Sequence, residues 1–330
     1  MSSRSTEFGL LVNLRNPCDP AVVMSELFDA ETSKLSKPCS RQQIMITKSF
    51  CAVRFLLLAA CWFGAVDGAN AVADSDVQVT FYAMGDVPYA PGEDVLLPKQ
   101  IEDLPGDAEF VIHVGDIKRG LPLCAEGVYT KVAGILGKSA APVFIIPGDN
   151  EWNDCLNPDQ AWTYWDRHFM KFDERWQHRL SVSRQKIREE NFAFVKNGVL
   201  FVGLNIVGGR VHDEQEWKLR HAGDLDWVKS NLQRFGTEIS SLVIFGHAKP
   251  AKVHNDFFDP FSKVAEDCRK PVLYLHGDGH KWIYDRPFKA KNILRVEVDQ
   301  GGIAPPLKVM VTDHPTKPFE FDRRNGKKAS

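Results

Sequence analysis

Six acidic and histidine side chains follow glycines at the ends of apolar runs, and together they could bind divalent cations. They are Asp86, Asp116, Asp149, His247, Asp278 and His280. Carboxylates that converge on one site repel one another unless a cation offsets their charge. Mixed carboxylate and imidazole sets suit Mn, Fe or Zn, with Mg possible where oxygen ligands dominate. Two such ions about 3.5–4 Å apart would clamp the oxygens of an in-line displacement at phosphorus.

The apolar runs that precede these residues are predicted strands of an α/β fold. Predicted strands lie at residues 77–83, 110–114, 143–146, 191–196, 199–204, 241–245, 271–275, 282–284 and 293–298, and predicted helices at 94–103, 125–136, 159–176 and 224–235. Polar groups at the carboxyl ends of strands line the ligand crevice of such sheets. Because no Pro/Gly/Ser-rich linker interrupts the pattern, we expect one domain with mixed sheets over residues 74–320, followed by a basic tail, 321–330.

The order of the glycine corners resembles that of the calcineurin-like metallophosphoesterases. The resemblance rests on Gly85-Asp86, Gly115-Asp116, Gly148-Asp-Asn-Glu-Trp152, Gly246-His247 and His276-Gly-Asp-Gly-His280. It indicates a divergent branch with GDNEW and HGDxH motifs, distantly similar to the purple acid phosphatases. It implies a four-layer α/β/β/α sandwich with mixed β-sheets. It also implies a metal-dependent phosphoester hydrolase in which a metal-bridging hydroxide attacks phosphorus in line.

The same resemblance implies how two metal ions would be held. The first would be bound by Asp86, Asp116 and His280, and the second by Asp149, His247 and Asp278, with Asp116 as the bridge.

Several positions depart from the family pattern and make the site richer in oxygen. Pro88 stands where the family has a histidine, and Arg119 stands where purple acid phosphatases have a compensating tyrosine. Asp149 replaces an asparagine ligand, and Asp278 replaces a histidine. Oxygen ligands favour Mn, Mg or Fe over Zn.

Asn150 takes the place of the histidine that assists the leaving group in the family. An amide can hydrogen-bond a phosphate oxygen but cannot deliver a proton, and losing a general acid typically costs about 10²–10⁴ in rate. Either activity is restricted to good leaving groups, or another side chain such as His276 or His212 donates the proton. His276 is equally compatible with a place in the core. Glu151 is expected to orient a ligand from behind.

The alternative to an enzyme is a catalytically silent, secreted member of the family that binds metal or a phosphorylated ligand. Pro88 and Asn150 are the positions that favour this alternative.

The amino terminus carries the pattern of a secretory signal peptide. An apolar run, residues 55–66, follows Lys48 and Arg54 and precedes small residues that suit cleavage after Ala71 or Ala73. A signal peptide over residues 45–73 would leave residues 1–44 as a non-native or dispensable extension. A buried helix or an uncleaved anchor are the alternatives. The protein is therefore predicted to be secreted, without stable membrane insertion after cleavage.

Charge and cysteine usage limit the partners and predict one cross-link. A formal net charge of −2 gives no indication of nucleic-acid binding. The resemblance implies a small phosphorylated substrate, and a monomer is expected. Three cysteines lie beyond the signal region, which permits one disulfide in an oxidising compartment. Cys124 and Cys155 each follow a polar corner at the same end of the sheet and are predicted to pair. Cys268 is predicted to pack as a small apolar residue.

Overall fold

The computed structural model of the chain describes residues 77–121 and 123–324, all within one compact unit. Its strands are β1 (Val77–Met84), β2 (Val111–His113), β3 (Val143–Ile145), β4 (Ser183–Gln185), β5 (Arg188–Lys196), β6 (Val199–Gly203), β7 (Ser241–Phe245), β8 (Val272–His276), β9 (Ile283–Asp285), β10 (Ile293–Glu297), β11 (Leu307–Thr312) and β12 (Phe319–Asp322). Its helices are α1 (Glu93–Glu102), α2 (Glu126–Leu136), α3 (Pro158–Phe169), α4 (Glu214–Phe235) and α5 (Asn255–Cys268). The predicted extension and signal peptide, residues 1–73, lie outside the described residues. Among the described helices, none has the length and apolarity that a membrane crossing needs.

The strands form two mixed sheets, as the sequence predicts. One has the order β12-β11-β1-β2-β3, and the other has the order β4-β5-β6-β7-β8-β10-β9. Strands β1, β2 and β3 run parallel, and so do β6, β7, β8 and β10, while antiparallel strands flank both sets. Parallel neighbours deliver their carboxyl ends to one edge of a sheet, which is where the glycine corners lie.

Three apolar cores separate four layers, and this arrangement confirms the expected α/β/β/α sandwich. The first core lies between the two sheets and contains aromatic rings from both. The second core joins the outer face of the seven-stranded sheet to α4 and α5, and the third joins the outer face of the five-stranded sheet to α1, α2 and α3. Each sheet is therefore buried on both faces, which explains why its central strands read as continuous apolar runs.

The sequence pattern missed the last two strands of the five-stranded sheet. β11 pairs antiparallel with β1, and β12 pairs with β11. β11 alternates buried and half-buried residues over most of its length, and β12 has one buried residue, so neither gives a strong apolar signal. The predicted tail begins at residue 321, but β12 continues to Asp322. The next residue, Arg323, donates to Asp299 at 2.8 Å, so the start of the predicted tail is part of the folded domain.

Helix α4 begins ten residues before its predicted start. The side chain of Asp213 caps it by accepting from the backbone N–H groups of Gln215 and Glu216, the usual role of aspartate at this position. The first half of α4 buries polar side chains such as Arg220 and Asp224, and these hide its apolar period. By contrast, α3 ends early at Phe169, and Lys171 has a left-handed φ of 54° that interrupts the helix predicted to reach residue 176.

The core between the sheets depends on Phe110, and its removal should test this packing. The ring of Phe110 lies 4.9 Å from that of Phe81 and 5.1 Å from that of Phe201, which belongs to the opposite sheet. We expect Phe110→Ala to lower the free energy of unfolding by about 3–5 kcal/mol in urea titrations, because the cavity cannot collapse between two sheets. Val95→Ala, at a side chain 77% exposed, should change it by less than about 0.5 kcal/mol. Equal effects of the two changes would contradict the described core.

Candidate metal centre

The six predicted ligands lie close together because their strands end at adjoining edges of the two sheets. The corners after β1, β2 and β3 come from one sheet, and those after β7 and β8 come from the other. Two groups result, within each of which one ligand atom per residue lies within 4.8 Å of the others: Asp86, Asp116 and His247, and Asp149, His247 and Asp278. Five of the six residues that the sequence singled out therefore form two adjoining groups that share one imidazole.

His247 is the central residue of this arrangement. Its Nε2 lies 3.3 Å from Asp116 Oδ1 and 3.4 Å from Asp149 Oδ1. The second group has the composition predicted for the second metal. In the first group, His247 stands where His280 was expected; His280 Nε2 lies 3.4 Å from Asp86 Oδ1, but its side chain is 45% exposed and lies at the rim.

The orientation of the His247 ring makes Nε2 a ligand atom. Its Nδ1 lies 2.8 Å from the carbonyl oxygen of Val114, which can only accept, so Nδ1 carries the proton. The lone pair of a neutral ring is then left on Nε2, facing two carboxylates. Burial alone would lower the pKa of His247, but the charges of Asp116 and Asp149 outweigh it and raise this pKa well above its ordinary value. A cation at Nε2 would satisfy the lone pair and both carboxylates together.

Unpartnered polar atoms show that the residues fit a metal ion. Asp86 Oδ2 and His247 Nε2 are buried and form no hydrogen bond. Leaving a buried polar atom unpaired costs about 1–3 kcal/mol, and more for a charged group. Oxygen and imidazole atoms left free at the meeting point of several carboxylates are the donors that divalent cations bind.

The backbone of the corners is strained where the ligands lie. Four of the predicted ligands have left-handed φ values: Asp86 at 55°, Asp116 at 62°, Asp278 at 74° and His280 at 65°. Such conformations cost of order 1–3 kcal/mol each and cluster at functional sites. The strain turns each side chain sharply at the end of its strand. It indicates that the fold holds these residues for a purpose other than stability.

Glycines allow the second and third corners to approach closely. A side chain at Gly115, whose φ is 94°, would place its Cβ 2.7 Å from the Cα of Gly148. A side chain at Gly148 would in turn overlap Asp116. The Gly-Asp pairs therefore supply both the ligand and the space that it needs.

Glu151 connects the same two corners through backbone hydrogen bonds. Its Oε1 accepts from the N–H of Gly148 at 2.6 Å and from that of Asp116 at 3.2 Å. Its Oε2 accepts from the N–H of Ile117 at 3.3 Å. The side chain is fully buried, and burial raises the pKa of its carboxyl. These contacts are those expected of a residue that orients a ligand from behind, which is the predicted role of Glu151.

Tyr89 contacts the site, although the sequence pattern did not single it out. Its hydroxyl donates to Asp116 Oδ2, lies 3.3 Å from Asp86 Oδ1 and accepts from Asn150 Nδ2 at 2.9 Å. Burial, followed by the charges of Asp116 and Asp86, raises the pKa of Tyr89, so the phenol stays protonated. The available signal was its place in the first corner, three residues after Asp86. The pattern of the purple acid phosphatases predicts a tyrosine at the second corner instead, where this chain has Arg119.

Asn150 forms its hydrogen bonds with Asp116 and Tyr89, two other residues of the site. Its backbone N–H donates to Asp116 Oδ1 at 3.0 Å, and its side-chain Nδ2 donates to Asp116 Oδ2 and to the Tyr89 hydroxyl. One amide hydrogen therefore orients Asp116 directly, and the other holds the Tyr89 hydroxyl, which itself donates to Asp116. The Nζ of Lys118 donates to the Asn150 carbonyl at 2.8 Å and brings a buried positive charge near the carboxylates.

The structure places His276 in the core, apart from the two ligand groups. It shares a face of β8 with Tyr274, against which its ring stacks at 5.2 Å, and its Nδ1 lies 2.8 Å from the Gly277 carbonyl. Burial lowers the pKa of His276 to about 3. The full burial of the ring agrees with the core alternative, while the catalytic role of His276 stays a prediction. His212 is exposed and contacts Asn153 Oδ1 at 2.9 Å.

Gly208 is a second contributor that the sequence did not indicate. It lies in the loop after β6, and a Cβ built on it would lie 3.1 Å from Asp149 Oδ2 and from both carboxylate oxygens of Asp278. Bare backbone thus covers the second ligand group. A glycine pair, Gly208-Gly209, just past a buried strand was the signal that could have marked a further corner.

The predicted disulfide between Cys124 and Cys155 is present. It joins the segment before α2 to the segment after the π-helical turn Asp149–Asn153. Cys268 is a free thiol, half-buried at the end of α5. The disulfide therefore constrains the loops on either side of Asn150.

Glu151→Gln tests the backbone connection behind the ligands. The amide offers one acceptor oxygen instead of two and turns an N–H₂ toward backbone donors, so Asp116 loses its fixed position. We expect affinity for Mn²⁺, measured by calorimetry, to fall about 10–100-fold, as is typical for partners behind metal ligands. Glu102→Gln, on the exposed face of α1, is the control and should leave affinity unchanged. Wild-type affinity in Glu151→Gln would show that the connection does not matter for binding.

Comparison with known proteins gives no family profile and no curated protein that matches the chain. Several solved structures resemble it at low identity, among them the following three. The protein TT1561 of Thermus thermophilus is 12% identical, covers 75% of this chain and 99% of its own, and has a TM-score of 0.41. A 5'-nucleotidase from Candida albicans SC5314 is 13% identical over 74% of this chain, with a TM-score of 0.42. Purple acid phosphatase PPD1 from yellow lupin (Lupinus luteus) seeds is 14% identical over 78%, with a TM-score of 0.46. This chain spans about half the length of the last two, 51% and 53%.

Proposed function

We propose that this chain is a metal-dependent phosphoester hydrolase of the calcineurin-like metallophosphoesterase type. The observation that carries the proposal is the position of His247 Nε2, which lies 3.3 Å from Asp116 Oδ1 and 3.4 Å from Asp149 Oδ1 inside two adjoining groups of ligand atoms. Such an arrangement is costly without cations and well suited to holding two of them.

The proposed cofactors are two divalent cations, with Mn, Mg or Fe favoured over Zn. Of the five residues in the two ligand groups, four offer carboxylate oxygen and one offers imidazole nitrogen. An oxygen-rich donor set favours the harder ions. When bound, such ions act as Lewis acids that activate water for in-line attack on phosphorus and offset charge on the phosphoryl oxygens.

The protein's own groups hold the reacting centre in place. Tyr89 and Asn150 both donate to Asp116 Oδ2 and so fix the carboxylate proposed to bridge the ions. His280 lies at the exposed rim, where its hydrogen bond to Asp86 raises its pKa. From there its side chain can meet the phosphoryl group of an incoming small substrate as well as a cation.

Leaving groups that need little protonation suit this site. Asn150 carries no transferable proton, and His276 is withdrawn into the core. We therefore propose substrates whose leaving group is stable as an anion, such as phenols, over simple alkyl alcohols.

A binding protein without turnover is the second candidate, and one observation favours it. Both amide hydrogens of Asn150 are engaged with Tyr89 and Asp116, so the residue that replaces the family's histidine is not free to assist a substrate. Turnover measurements separate the two candidates.

Asp116→Asn tests the proposed function directly. The purified protein should contain about two metal ions by mass spectrometry and should hydrolyse p-nitrophenyl phosphate when Mn²⁺ is added. Asp116→Asn should lower kcat by at least about 100-fold, because the bridging carboxylate is lost while the side-chain shape is kept. Asp103→Asn, at an exposed carboxylate after α1, is the matched control.

Three outcomes of that experiment are informative. Hydrolysis in the wild type and in the control, but not in Asp116→Asn, supports the enzyme. Bound metal without turnover supports the binding protein. Absence of bound metal at micromolar Mn²⁺ would contradict both.

We also propose that the protein is secreted, on the pattern of residues 45–73 and on the disulfide, which suits an oxidising compartment. After expression of the full chain, the exported protein should begin just after Ala71 or Ala73 by intact-mass analysis. Exported protein that retains residues 1–73, or a chain that stays entirely inside the cell, would contradict this proposal.

A further inference from the structure

An apolar groove lies beside the metal centre and has no part in holding it. It encloses about 500 Å³, and its walls include Leu121, Leu123, Leu156, Tyr164 and the disulfide. The three leucines are 74%, 69% and 85% exposed. Most exposed leucines stand alone on protein surfaces, whereas apolar side chains grouped around a concavity mark a binding site.

The groove adjoins the metal centre at Asn150. Gly120 lines it, and a Cβ on Gly120 would lie 3.0 Å from Asn150 Oδ1. On the same side, the sulfur atoms of Cys124 and Cys155 lie 3.5 and 3.6 Å from the Asn150 carbonyl oxygen. Because Asn150 also donates to Asp116, a single residue separates the groove from the ligand groups. A group bound in the groove would therefore lie one residue away from a phosphoryl group at Asp116.

The charge of the groove selects among leaving groups. Among the residues that line it, Asp154 is the one with a carboxylate, and none is a lysine or an arginine. Apart from that carboxylate the lining side chains are uncharged, so none of them offers a cation to a nucleotide or polyphosphate leaving group. Leucine and tyrosine walls instead favour a neutral ring or hydrocarbon.

The walls are held in a fixed shape, which suits recognition. The disulfide joins the two sides of the groove, and Arg210 Nη2 donates to the Cys155 carbonyl at 2.7 Å. A preformed apolar pocket binds without a large ordering cost.

We propose that this groove binds the apolar, aryl leaving group of a phosphomonoester, and so determines which esters the metal centre accepts. The inference rests on the proposed function. It also agrees with Asn150, because phenols leave readily without a proton donor.

Substrates with phenols of similar acidity test the groove. In the Mn²⁺-loaded full chain, kcat/KM for 2-naphthyl phosphate should exceed that for phenyl phosphate by about tenfold, since the second ring buries more apolar area. Leu123→Ser together with Leu156→Ser should reduce this ratio to below about threefold. The inhibition constant of inorganic phosphate, which has no leaving group, should stay within about twofold of the wild type. Ile187→Ser, 80% exposed and outside the groove, is the control.

A non-hydrolysable pair separates failure of the groove from failure of the enzyme. Calorimetry should show 2-naphthylmethylphosphonate binding about tenfold more tightly than benzylphosphonate, with the difference lost in the double variant. If no ester is hydrolysed but this difference is found, the enzyme proposal fails while the groove remains an aryl site. A wild type without preference for the naphthyl compounds, or a preference that survives in the double variant, would overturn the inference.

Discussion

Buried like charge is the constraint on which the rest of this structure depends. Strands from two sheets bring four aspartates to adjoining edges, and a fifth carboxylate, Glu151, lies directly behind them. In a low-dielectric interior such charges repel one another strongly unless hydrogen bonds or cations offset them. The fold offers partial compensation through the Tyr89 hydroxyl, the Asn150 amide and the Lys118 ammonium. Among the groups at this site, Asp86 Oδ2 and His247 Nε2 remain without a hydrogen bond.

The scaffold around this point is built to keep the carboxylates together. Left-handed backbone at four ligand positions and close glycine packing at Gly115 and Gly148 put the side chains where two sheets adjoin. The aromatic core between the sheets, with Phe110 at its centre, fixes the distance between them. The stability that this core supplies offsets the backbone strain at the ligand positions, as is common where a scaffold holds a functional site.

Much of the fold and site followed from the sequence because each corner is a local pattern. An apolar run, a glycine and an aspartate predict both a strand end and a ligand, and the two sheets, the four layers and the disulfide agree with that prediction. Tyr89 and Gly208 were missed because their roles depend on which loops fold over the corners. The local sequence pattern does not show this. β11 and β12 were missed because β11 alternates buried and half-buried residues and the edge strand β12 buries one residue, so neither forms a continuous apolar run. The sequence suggested a site role for His276 because it lies beside a corner. That position did not reveal which face of β8 the ring occupies, and it stacks on Tyr274.

The central claim is that the lone pair of His247 and the surrounding carboxylates bind cations. Anomalous diffraction from crystals soaked in Mn²⁺ tests it most directly. The account predicts two peaks on either side of Asp116, one beside Asp86 and the other beside Asp149, His247 and Asp278. Crystals that show no peak at these residues under saturating Mn²⁺ would contradict it.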